Sequence, residues 1–172
     1  MNNIKKFIGI SVADTDGMTK ALTPTGISQL DHLIHLLEHY LQNETHILVL
    51  CSDQPSAQSN AKYIQQKTGL PYRLAAKLHL YMRDKYYERA PAILADEMNN
   101  KVEADVIVLI SHQEQLENLP QYLVEGTALQ MKKQAEIVKD LVMLKGTMLY
   151  LNFDTFDCAL HYSQKPPEPR KK

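Results

Sequence analysis

The sequence predicts an α/β domain of three layers, with a mostly parallel central sheet between helices. Two observations carry that expectation. Short, nearly unbroken apolar runs recur at 7–12, 47–51 and 106–110. Runs of this length and composition read as strands buried on both faces. Segments with helical periodicity and helix-boundary residues stand between them, and alternation of the two kinds of element favours parallel strands with covering helices.

The elements follow in order. The first strand, from Phe7 to Val12, is bounded on its far side by Asp14, Asp16 and Gly17. Thr23 and Pro24 then supply a hydroxyl cap and a first-turn proline. Ile27, Leu30, Ile34, Leu37 and Leu41 follow at three- and four-residue spacing, one apolar stripe of a helix. Leu33 and Leu36 flank the stripe and either widen it into a contact surface or join the core. The second strand, 47–51, leads through Ser52, Asp53, Gln54 and Pro55 into a helix carrying Ala57, Ala61 and Ile64, which Gly69 ends. A short third strand follows at 72–75, then a helical region at 83–100 interrupted by Pro91. The strand at 106–110 precedes a short helix at 116–124, made irregular by Pro120. Two last strands, 147–153 and 156–162, are joined by a turn at Asp154 and Thr155.

At 172 residues, with 44% hydrophobic and 23% charged residues, the chain suits one domain with a core of its own. We expect that domain over 1–163, and a frayed basic, proline-rich tail over 164–172. Nineteen basic side chains against twenty acidic ones, a net charge of −1, argue against a nucleic-acid or membrane-surface binder. Cys51 and Cys158 lack metal-knuckle or Cys-x-x-Cys spacing and read as thiols in a reducing compartment. The apolar stretch after Lys5 and Lys6 is too short for a signal peptide, and no run approaches the roughly 20 apolar residues of a membrane span. The expected location is the cytoplasm, with no cofactor.

In open α/β sheets, ligands bind beyond the carboxyl ends of the strands. That directs attention to 11–16, 52–56 and 111–114. Leu22, Thr23, Pro24, Thr25 and Gly26 form a Leu-Thr-x-x-Gly helix start; Thr68, Gly69, Leu70 and Pro71 end the second helix; Ser111 and His112 end the strand at 106–110. In this order and spacing the motifs resemble the histidine phosphatase (phosphoglycerate mutase-like) superfamily, and among its members the small bacterial phosphohistidine phosphatases. The resemblance implies the three-layer fold. It also implies a site in which one histidine is phosphorylated, two arginines and a second histidine hold the phosphoryl oxygens, and a carboxylic acid protonates the leaving group.

The sequence departs from that pattern where the chemistry resides. The resemblance leads one to expect Arg-His-Gly where the chain has Ser11, Val12 and Ala13, with Asp14 and Thr15 continuing in register. The second arginine position falls at or near Ser56, in a segment (53–59) without Arg or Lys. Only His112 remains of the central group. Asp14, Asp53 and Glu114 lie in segments that line the mouth. Losing one partner of a buried charged contact costs about 3–5 kcal/mol, so phosphate affinity and phosphoryl transfer by the family's mechanism are not expected. Lys77, His79 and Arg83 could return some positive charge.

The degenerate pocket is therefore expected at Ser11, Val12, Ala13, Asp14, Ser52, Ser56, Ser111 and His112, with no metal site. The serines read equally as caps of loop amides. His112 is either a residual histidine at a strand end or a lone acid–base group. His32, His35 and His39 share one helix face at a spacing that can bind Zn²⁺, but that face lies opposite the apolar stripe and is expected in solvent. Tyr86 and Tyr87 suit half-buried packing or a stacking partner.

The expected function is a catalytically inactive, histidine-phosphatase-like binding or regulatory module, serving a protein partner or a small-molecule ligand. Two alternatives stand beside it. One is an active phosphatase with a rearranged site. The other is a Mg²⁺-dependent phosphatase with Asp14 as nucleophile, because Asp14, Thr15, Asp16 and Gly17 after a strand resemble the first motif of the haloacid-dehalogenase type.

Overall fold

The computed structural model describes residues 4–75, 103–117 and 141–163. Its strands are β1 (Lys6–Ser11), β2 (Ile47–Ser52), β3 (Tyr72–Ala75), β4 (Val106–Ser111), β5 (Thr147–Asn152) and β6 (Cys158–Tyr162). Its helices are α1 (Pro24–Tyr40) and α2 (Pro55–Thr68). The expected helical region at 83–100, Lys77, His79, Arg83, Tyr86, Tyr87 and the tail lie outside the described residues. So does most of the helix expected at 116–124, although 113–117 is helical.

The strands form one sheet in the order β3-β2-β4-β1-β5-β6. β1 pairs with β4, and β2 with both β4 and β3, all in parallel. β5 runs antiparallel to β1, and β6 antiparallel to β5. β5 is thus the one reversed strand of the six, and the sheet is mostly parallel, as the alternation of elements predicts. The β5–β6 turn falls where Asp154 and Thr155 lead one to expect it. Asn152 Oδ1 accepts the Asp154 and Thr155 amides at 2.9 and 3.0 Å.

Both sheet faces are buried, which explains the unbroken apolar strands. On one face Ile8, Ile10, Val49, Val108, Ile110 and Met148 pack against α1 and α2. On the other, Phe7, Leu50, Ile107, Leu109, Leu149 and Leu151 pack with Ile4, Leu116, Leu141 and Met143.

The stripe of α1 is rotated from its sequence prediction. Leu30, Leu33, Ile34 and Leu37 are buried, Ile27 is 38% exposed, and Leu41 follows the last turn as its cap. The buried arc is centred on Gly26, Leu30, Leu33 and Leu37, and Ile27 stands about 100° from Gly26 on the helical wheel. Leu33 therefore belongs to the core, with about 1.5–3 kcal/mol of burial, and Leu36 packs half-buried at its margin. α2 buries Ala57, Asn60, Ala61 and Ile64 and ends at Gly69, whose φ of 76° is the left-handed cap glycine allows.

Candidate functional site

Three parallel strands end in serine. Ser11 and Ser111 are register partners, and Ser52 ends β2 on the far side of β4. All three are fully buried, and all three hydroxyls serve the fold. Ser11 Oγ donates to the Leu144 carbonyl and accepts the Thr147 amide at 2.8 Å. Ser52 Oγ accepts the Gln54 amide at 3.3 Å, and Ser111 Oγ donates to the Gln115 side-chain oxygen. The first position where the resemblance leads one to expect an arginine is thus a buried anchor for the entry into β5.

Val12, where the resemblance leads one to expect a histidine, points into the core on the α1–α2 face and is 8% exposed. Its amide donates to Ser111 O at 3.0 Å, and its carbonyl accepts Gly146 N at 3.3 Å. The Ala13 amide donates to Asn60 Oδ1 at 2.9 Å, and Asn60 Nδ2 donates to the Ser56 carbonyl at 2.9 Å. Asn60 thereby fastens α2 to the segment after β1, and Ser56 is half-buried beside it.

Asp14 is where the helix-start motif acts. Its amide donates to Gln29 Oε1 at 2.9 Å. Its carbonyl accepts the Thr23 amide at 3.1 Å, while Thr23 Oγ1 caps α1 by accepting the Gly26 amide at 3.1 Å. Gly26 has to be glycine because a Cβ there would lie 2.0 Å from the Asp14 carbonyl oxygen. The Asp14 carboxylate takes the Thr23 hydroxyl at 2.7 Å and Lys145 Nζ at 3.2 Å. The Thr23 hydrogen bond first, and then Lys145, hold this carboxyl below its ordinary value. Asp16 caps its own turn, accepting the Met18 and Thr19 amides at 2.9 and 2.8 Å, and those bonds lower its pKa.

His112 follows Ser111 and is half-buried. Its Nε2 is shielded from solvent and meets no hydrogen-bond partner among the described residues. Burial pushes its pKa below the usual histidine value; Glu114 opposes that shift and Lys20 adds to it. The imidazole is neutral near pH 7.

Among the described residues, the sequence-expected pocket positions cluster at the carboxyl ends of β1, β2 and β4. What they build is a backbone clamp around 12–14. Sequence reasoning missed Gln29, Asn60, Lys20 and Lys145. A polar residue inside a helix carries no mark of a buried partner, and neither lysine sits in a motif. His32, His35 and His39 are exposed. Among the described residues no three His, Cys, Asp or Glu side chains are grouped to hold a metal ion, and no helix is long and apolar enough to cross a membrane.

The same α/β fold is found in solved structures of phosphatases. The α-ribazole phosphatase of Shigella flexneri superposes with a TM-score of 0.61 at 18% identity, over 91% of this chain and 95% of that one. A mycobacterial glucosyl-3-phosphoglycerate phosphatase gives 0.59 at 15% identity, over 92% and 97%. An Agrobacterium tumefaciens protein assigned as a phosphohistidine phosphatase gives 0.59 at 10%, over 91% and 95%. At these identities the likeness is one of fold. No protein-family model matches the sequence, and no curated protein matches it significantly.

Proposed function

We propose that this chain is a single-domain relative of the histidine phosphatases that does not transfer phosphoryl groups by their mechanism and serves as a binding or regulatory module. The observation that carries this reading is the fate of the segment after β1. Val12, where the resemblance leads one to expect the nucleophilic histidine, is packed into the core, and Ser11 spends its hydroxyl on the start of β5. A valine side chain has no lone pair with which to attack phosphorus. A serine engaged as a buried anchor supplies no cationic fork for phosphoryl oxygens. The ligand is then either a small molecule less anionic than a phosphate dianion or a protein surface.

One observation favours a second reading, an active phosphatase with a rearranged site. His112 presents a neutral imidazole whose Nε2 is unpartnered among the described residues, and such a nitrogen can accept a proton or a phosphoryl group. The Asp-nucleophile alternative has less support. Both Asp14 oxygens are engaged by Thr23 and Lys145, and Asp16 Oδ1 is committed to its turn.

The test is turnover of a generic phosphomonoester and of a phosphohistidine protein, each with and without Mg²⁺. The proposal expects no turnover in any arm. Turnover lost in His112→Ala and kept in Val12→Ala would establish the second reading. Metal-dependent turnover lost in Asp14→Asn would establish the third.

A further inference from the structure

Away from the site, the last turn of α1 meets the strand that ends the sheet. Tyr40 stacks on Tyr150 of β5, centroids 3.9 Å apart and planes 12° from parallel. Its hydroxyl lies 2.5 Å from His161 Nε2 on β6. Asn152 Nδ2 donates to the Tyr150 hydroxyl at 3.1 Å, and Lys6 Nζ reaches the Tyr40 carbonyl at 3.4 Å while paired with Glu44 at 2.7 Å. Tyr40 and His161 are half-buried and Tyr150 is buried. Among the described strands, β6 pairs only with β5. The Tyr40–His161 bond is therefore a side-chain fastening between this edge strand and α1.

The protonation state of His161 decides what that fastening is worth. A neutral imidazole with its proton on Nδ1 offers Nε2 as acceptor to the Tyr40 hydroxyl. Protonation puts a hydrogen on Nε2, so the tyrosine oxygen becomes the acceptor and its own proton loses this partner. It also places a charge in a half-buried site. Among the described residues, the groups facing His161 are Tyr40 and His32 of α1; Tyr150 of β5 lies beneath Tyr40, and His39 meets the Tyr40 edge at 5.7 Å. None of these is a carboxylate that would stabilise an imidazolium, and His32 becomes a like charge when it too is protonated. Burial first, and then His32, accordingly hold the His161 pKa below its ordinary value.

We propose that the Tyr40–His161 contact is an acid-sensitive latch. With a neutral imidazole it holds edge strand β6 to α1, and protonation of His161 loosens β6 while β2, β4 and β1 stay paired.

Amide hydrogen exchange on the full chain at about pH 7.5 and about pH 5, corrected for intrinsic rates, tests the latch. The expected result is that β6 amides lose protection at the lower pH relative to those of β2 and β4. His161→Phe should abolish that relative loss, and His32→Gln should reduce it. Because His161→Phe could perturb packing, the wild-type His161 ring is also followed by NMR. It should titrate together with the β6 amides and hold the Nδ1–H tautomer at neutral pH. Equal changes in β6, β2 and β4, or an acid loss that persists in His161→Phe, would overturn the proposal.

Discussion

Gly26 is glycine for lack of room and not for want of backbone freedom. A methyl group there would collide with the Asp14 carbonyl, a backbone atom held by the Thr23 amide. Gly26→Ala should cost about 2 kcal/mol or more, read as a lowered denaturation midpoint with an unchanged slope. An unchanged midpoint would mean that the start of α1 does not rest on the 13–14 backbone. Ser11→Ala removes the acceptor of the Thr147 amide and the donor to Leu144, both in a buried setting. It should cost about 1–3 kcal/mol, whereas a serine waiting for a ligand would be replaced at no cost. His112 supplies a pH signature. Its pKa in the folded chain lies below 6.5, so the folded state disfavours the proton that the unfolded chain accepts. The stability it contributes is present above about pH 6.5 and declines as the pH falls toward the folded value. Urea midpoints measured across that range should slope less in His112→Gln than in the wild type.

At the scale of elements, the Asp14–Lys145 pair links the segment after β1 to the entry into β5. It is largely exposed, with Lys145 at 60%, so Lys145→Ala should cost under about 1 kcal/mol. Its clearer readout is the Asp14 carboxyl, which should titrate at a higher pH once the lysine is gone. The six strands and the helices α1 and α2 were legible in the sequence to within a residue or two, because buried strands and cap residues leave local marks: Thr23 and Pro24 before α1, Gly69 after α2. The phase of α1 was less legible. Apolar spacing defined a stripe from Ile27 to Leu41, yet Gly26 and Gln29 turn toward the Asp14 backbone and bring Leu33 inward. That rotation depends on hydrogen bonds to a segment twelve or more residues away, which periodicity does not encode.

At the scale of the molecule, the order β3-β2-β4-β1-β5-β6 places the ends of β1, β2 and β4 side by side. The sequence pointed to those three ends, and the positions named there lie side by side in the sheet. Their roles were not legible. A serine after a strand reads alike as a ligand group or as an anchor, and only the partners of Ser11, Ser52 and Ser111 separate the two. Likewise Lys20, which acts on His112, and Lys145, which binds Asp14, come from a turn and from the entry to β5, where no spacing rule points.

The central claim is that a fold used elsewhere for phosphoryl chemistry here lacks, among the described residues, the cations that hold a phosphoryl group. Calorimetric titration of the full chain with inorganic phosphate at neutral pH tests it most directly. The account predicts no saturable binding at millimolar phosphate, with the Lys20→Ala and His112→Ala variants indistinguishable from wild type. Saturable micromolar binding, weakened by either substitution, would contradict it.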